Sequence, residues 1–206
     1  MTASPSDPHI GLVVEGPGDV AAVPVLLRKW LEDRYDFRDV LAKPISCNGR
    51  DNALAPRGLE GFVGVAASRP GCVGVMVILD GEGDLVCQLG PKLWKRAKSV
   101  TGKHVSVCLA DKMFEDWIYC SAETLDLGLD YNASRNGIGA VVGALRPRAY
   151  AKPTWQPRLA ARMDISIAAP RSSSLQRLFK QFERHLSFLD DNDPQSWVVD
   201  IDRRND

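Results

Sequence analysis

IGLVVEGPGDVAAVPVLL, residues Ile10 to Leu27, carries the reading from which the fold follows. Ile10–Val14 is an apolar run without polar alternation, the pattern of a strand buried on both faces of a parallel sheet. Glu15 ends it, Gly16-Pro17-Gly18 turns the chain, and Asp19 follows. Val20, Val23, Leu26, Leu27, Trp30 and Leu31 then recur at helical spacing, which predicts a helix from Asp19 to Tyr35. Pro24 is expected within its first turn or so, where a missing N–H costs least.

Outward from this unit the strand–helix alternation continues. VLAKPIS (Val40–Ser46) reads as a second strand, followed by a turn near Gly49 and a loose helix through LEGFVGVAAS. CVGVMVILD (Cys72–Asp80) is a third strand, PKLWKRAKSV a basic helix, HVSVCLA a fourth strand, and KMFEDWIYCSAETL (Lys112–Leu125) a further helix. This order predicts an α/β protein with three layers and a largely parallel central sheet. Beyond Leu125 the chain is turn-rich. Helices are expected at Ala140–Leu145, Pro157–Met163 and Ser172–Leu186, with AKPTWQP a proline-bracketed loop. WVVDI (Trp197–Ile201) reads as a docked edge strand. The organisation expected is a disordered start (1–9, including His9), an α/β domain (10–125), a basic helical extension packed on it (126–188) and an acidic tail (189–206).

With 206 residues there is enough chain for one substantial core. No apolar run approaches the ~20 residues of a membrane span, and the N-terminal stretch has no basic region leading into an apolar segment. The five cysteines are widely spaced, without a CxxC pair, and read as reduced core residues. A cytoplasmic protein with no membrane association is expected. Net charge is zero, yet Arg146–Arg184 holds nine Lys or Arg against two acids, and Asp190–Asp206 holds six Asp against two Arg. A solvated helix face and a phosphate-facing surface are both consistent with that segregation.

In a parallel α/β sheet, ligands gather beyond the carboxyl ends of the strands. Glu15 ends the first strand there, and DGEGD (Asp80–Asp84) follows the third. If that run stays extended, Asp80, Glu82 and Asp84 project together, with Gly81 and Gly83 leaving room for a ligand. Converging carboxylates repel one another unless a cation intervenes, and Mg²⁺ prefers such oxygen ligands. A phosphatase of the haloacid-dehalogenase kind, with Asp80 as nucleophile, is an alternative that leaves Glu15 and Asp19 without a role. His104 and His185 read as structural, Trp30 and Trp117 as core, and Trp155 as open to base stacking.

LVVEGPGD followed by a helix, then VMVILDGEGD, resembles the Toprim domain of primases, topoisomerases, ribosomal-RNA maturases and OLD-type nucleases. Glu15, Gly16 and Asp19 match its Glu-Gly-x-x-Asp element; Asp80 matches the first acid of its Asp-x-Asp element, and Glu82 replaces the second. MFEDWIYCSAETL, with Glu115, together with YAKPTWQPRLAARMDI and RSSSLQRL, is similar to small Toprim-like proteins paired with SMC- or ABC-type ATPases in bacterial phage-defence loci such as PARIS. The resemblance implies a Toprim-like fold and a Mg²⁺-dependent nuclease (Mn²⁺ as substitute) acting on RNA such as transfer RNA, or on DNA. It also implies a toxin-like effector with an ATPase partner, possible as a homodimer. Glu15 and Lys152 would be catalytic; Asp80, Glu82, Asp19, Asp84 and Glu115 would hold metal; Arg146, Arg148 and Arg158 would bind substrate. A non-catalytic partner subunit of the ATPase is the other reading.

Overall fold

The structure is a computed structural model that describes residues 7–35 and 39–190. Its elements are β1 (His9–Val14), α1 (Pro17–Glu32), β2 (Ile45–Ser46), α2 (Arg50–Leu54), α3 (Gly58–Ser68), β3 (Cys72–Leu79) and α4 (Val86–Lys98). β4 (His104–Leu109), α5 (Phe114–Tyr119), α6 (Gly137–Leu145), α7 (Lys152–Ala160), α8 (Ile165–Arg171) and α9 (Ser173–Asp190) follow. The four strands form one parallel sheet in the order β2-β1-β3-β4, with helices on both faces, a three-layer α/β arrangement.

Both faces of β1 and β3 are covered, which is why these strands show no polar alternation. Ile10, Leu12 and Val14 face one side with Met76 and Ile78, packed against α1 and the helices after Leu125. Val13, Val75, Val77 and Leu79 face the other side, against α3 and α4. Each fully buried Leu, Ile or Val contributes about 1.5–3 kcal/mol relative to exposure. α9 runs across the first face, where the buried Ser106 hydroxyl of β4 pairs with His185 Nε2 at 2.9 Å. Trp30 and Trp117 are in the core as expected.

Several expectations are corrected. His9 begins β1 and is buried, its ring Nδ1 bonded to the Asp7 carbonyl at 2.9 Å, so the chain is structured before Ile10. The second strand shrinks to Ile45–Ser46 plus a bridge between Ile10 and Leu41. Pro44 has no N–H to offer the ladder, and the chain bows out around it. Pro24 stands in the interior of α1 rather than its first turn. The helix continues because Leu26, Leu27, Trp30 and Leu31 beyond it are all buried.

α4 starts at Val86, five residues before Pro91, and Lys112–Leu125 yields only Phe114–Tyr119 and a 3₁₀ turn at Ala122–Thr124. AKPTWQP is helix, not loop: it opens α7, with a proline in the first turn, where a fixed φ is pre-organised for helix. The helix expected at Pro157–Met163 is therefore earlier, ending at Ala160. α8 was not anticipated, although Asp164 is a standard N-cap and accepts from the Ser166 and Ile167 N–H groups. α9 runs four residues past Leu186, to Asp190. Cys87 is exposed, whereas the other four cysteines are buried thiols. WVVDI, most of the acidic tail and residues 1–6 lie outside the described residues. No described helix is long and apolar enough to cross a membrane.

Candidate functional site

β1 and β3 are adjacent and in register, Val14 opposite Ile78, so the residues that follow them emerge side by side. Glu15 and Asp80 meet there: the Asp80 N–H donates to Glu15 Oε2 at 3.1 Å. Asp80 is almost wholly buried; its Oδ1 accepts the Phe114 N–H at 2.8 Å, and its Oδ2 lies 3.6 Å from Lys152 Nζ. Asp19, in the first turn of α1, is also buried and accepts the Gly16 N–H at 2.9 Å.

Glu115 of α5 completes the interior set. Its Oε1 accepts from the Tyr150 hydroxyl (2.6 Å) and from Gln156 Nε2 (3.0 Å), while Oε2 is buried without a hydrogen-bond partner. Gln156 Oε1 is likewise buried and unpaired. Such oxygens are costly in a folded interior, on the order of 1–3 kcal/mol each.

α7 delivers Lys152 and Gln156, one helical turn apart, and does so by riding on Gly18. A Cβ at Gly18 would stand 1.9 Å from Gln156 Oε1 and 2.9 Å from Lys152 Cβ. The Gly-Pro-Gly corner thus turns the chain and also opens the space that α7 fills.

The electrostatics follow from this crowding. Burial pushes the Asp80 carboxyl up to about 8, helped by the charges of Glu15 and Asp19. Burial also raises Asp19 and Glu15; for Glu15 the hydrogen bond from Asp80 opposes the rise, and the charges of Asp19 and Glu82 add to it. Lys152 is disfavoured as an ammonium by burial, yet Glu115, Asp80, Asp19 and Glu15 together outweigh this and raise its pKa. Burial and the bond to Glu115 hold the Tyr150 phenol above its ordinary range.

Glu82 and Asp84 do not join this group. The run after β3 is a turn rather than an extended segment: Glu82 has φ 52° and Gly83 φ 101°, and the Asp84 N–H closes on the Gly81 carbonyl at 2.9 Å. Asp80 therefore points away from Glu82 and Asp84, which gather on Arg50. Glu82 and Asp84 are about half exposed and pair with Arg50, Glu82 at 3.6 Å. Arg50 Nε also donates to the Asp80 carbonyl at 3.1 Å, fastening the turn to the start of α2. Arg50 escaped the sequence reading because nothing in its own neighbourhood marks it; its partners are some thirty residues away.

Arg146 and Arg148 are exposed after α6. Arg158 is exposed on α7, two residues past Gln156 and so on the opposite face from the acids, lying 5.6 Å over the Trp155 ring. Tyr150 and Gln156 as partners of Glu115 were also missed; the spacing of Lys152 and Gln156 becomes informative only once 152–160 is known to be helical.

Among the described residues, no three of His, Cys, Asp and Glu stand together as a ready metal-binding group. A groove of about 670 Å³ lies along β4, the outer strand, between α4 and α9. It is lined by Val86, Trp94, Val105, Val107 and Leu109 with Arg177 and Arg184, and by no carboxylate. The charged side chains instead converge at the carboxyl edge of the sheet, around Asp80. Compared with family models, curated proteins and solved structures, the chain matches none.

Proposed function

We propose that this chain is a Mg²⁺-dependent nuclease that hydrolyses phosphodiester bonds in RNA, such as transfer RNA, or in DNA. The observation that carries the reading is the junction of Glu15 and Asp80 at the ends of adjacent strands, where the Asp80 N–H binds the Glu15 carboxylate and the charges of Glu15, Asp19 and Glu115 all act on Asp80. An Asp80 carboxyl pushed up to about 8 by burial and neighbouring charges, and a buried Glu115 Oε2 without a hydrogen-bond partner, are both groups that a cation would stabilise.

The residues present fit such an ion. All four interior acids offer hard oxygen donors, and Mg²⁺ uses only one or two carboxylates, taking water and substrate phosphate for the rest, so a complete protein cage is not required. Asp80 would hold it, with Asp19 and Glu115 as further oxygen donors and Glu15 left as the base. When bound, the ion supplies Lewis acidity and a more acidic water. Glu15, the least enclosed of the buried acids, would take the proton from the attacking water. The new bond forms between water oxygen and phosphorus while the ester P–O bond breaks. Lys152 would face the charge gathering on the phosphate oxygens. Arg146 and Arg148, exposed after α6, would meet the nucleic-acid backbone farther out, and Arg158, on the opposite face of α7 from the acids, would reach only a strand that wraps round that helix; Glu82 and Asp84 would join only if Arg50 released them. A toxin-like effector role under an ATPase partner, and a homodimeric state, belong to the same proposal.

Incubating the protein with Mg²⁺ or Mn²⁺ and mixed RNA and DNA, beside Glu15→Ala, tests it. Cleavage abolished in the variant supports the nuclease. A second reading, a phosphatase with Asp80 as nucleophile, is favoured by Lys152 at 3.6 Å from Asp80 Oδ2; phosphate-ester turnover that survives Glu15→Ala would replace the nuclease proposal with this one.

A further inference from the structure

Lys152 stands where the acids need a cation. Its Nζ is 3.6 Å from Asp80 Oδ2, and the charges of Asp19 in the first turn of α1, Asp80 after β3 and Glu115 of α5 all act on it. Its helix cannot retreat freely: α7 is seated on Gly18, and Gln156, one turn on, is bonded to Glu115. Lys152 itself is the exception within this fixed frame. Its side chain is 37% exposed, against 5% for Asp80, so the ammonium reaches the cluster from the solvent side on a flexible stem. One position against Asp80 thus holds a cation that also reaches solvent, and an oxygen of Glu115, whose charge acts on that ammonium, is buried without a hydrogen-bond partner.

We infer that Lys152 is the resident counter-ion of the acidic cluster and that a divalent ion binds there by displacing it, the freed ammonium then turning outward to the substrate phosphate. The inference rests on the metal-dependent reading above and adds an exchange to it. A single side chain neutralises the acids when no metal is present and becomes available to an anionic substrate once the metal arrives. Two cations cannot share the Asp80 carboxylate without repulsion, so Lys152 and the ion compete.

The test uses Mn²⁺ alone as probe, titrated by calorimetry into the full-length chain, Lys152→Met and Lys152→Arg. Lys152→Met keeps the stem and removes the competitor, so Mn²⁺ should bind about tenfold tighter than to the unaltered chain. Lys152→Arg keeps the charge and should bind no tighter than the unaltered chain. Metal-free Lys152→Met should also melt lower than the unaltered chain, and saturating Mn²⁺ should close the gap. If Lys152→Met does not fold, ¹⁵N spectra of the lysine ammonium groups in the unaltered chain give the same answer: the Lys152 signal must move as Mg²⁺ is added. Equal Mn²⁺ affinity for the unaltered chain and Lys152→Met, or a Lys152 signal that stays fixed while Mg²⁺ binds, overturns the exchange and leaves the metal reading standing. Absence of binding to every variant overturns both.

Discussion

The main-chain N–H of Asp80 donates to the side chain of Glu15 across 3.1 Å, although the two residues are 65 positions apart in the chain. This bond ties the ends of two parallel strands and fixes the Glu15 carboxylate on the Asp80 main chain. Glu15→Gln keeps an acceptor for that N–H while removing the charge. Nuclease activity should fall by ~100-fold or more, with the melting temperature unchanged or raised because a buried like-charge contact is relieved. A lowered melting temperature together with retained cleavage would assign Glu15 to structure alone.

Asp80 gives the metal-free protein a pH dependence of unusual sign for a carboxylate. Its folded pKa, about 8, lies above the unfolded value near 3.8. The folded state therefore binds the proton more tightly, and the contribution is fully present below pH 4 and is lost as pH rises through 8. Metal-free protein should melt at a lower temperature at pH 9 than at pH 6. Asp80→Asn should flatten that difference, as should saturating Mg²⁺, which replaces the proton at the same oxygens. Thermal scans across pH, with and without the ion, measure both effects.

Gly18→Ala should be costly despite its small size. The added methyl would meet Gln156 Oε1 at 1.9 Å and Lys152 Cβ at 2.9 Å, both on α7. Chemical denaturation should show a loss of about 1–3 kcal/mol. Mn²⁺ affinity should change in the same variant, because the helix pushed back is the one that carries Lys152.

Arg50→Ala should release the turn after β3. Arg50 donates to the Asp80 carbonyl and pairs with Glu82 and Asp84, whose side chains are 48% and 54% exposed. The exposed pairs contribute little, and the loss of the carbonyl bonds sets the expected cost at about 1 kcal/mol. Hydrogen exchange over 81–85 should accelerate while β1 and β3 remain protected. Unchanged exchange there would show that the turn holds itself.

Glu15, Asp19 and Asp80 were legible as neighbours because Glu15 and Asp80 end strongly patterned strands and Asp19 opens the helix that follows the first, at the edge where a parallel sheet presents its ligands. Glu82 and Asp84 were misplaced for a backbone reason: extended geometry was assumed, whereas Glu82 and Gly83 take positive φ and turn the acids towards Arg50. Reading prolines as loop brackets concealed α7. Pro153 in the first turn is compatible with a helix, and burial of Leu159 and Ala160 against α1 holds the remainder in place around Pro157.

The sequence by itself determined the strands β1, β3 and β4, the α/β layering and the acids at the strand ends, because apolar periodicity is local and each such run must bury both faces. Only the tertiary structure decided which charges meet. Tyr150 and Gln156 reach Glu115, Lys152 reaches Asp80, and Arg50 reaches Glu82 and Asp84, through helix docking and a tight turn whose geometry depends on contacts between residues far apart in the chain.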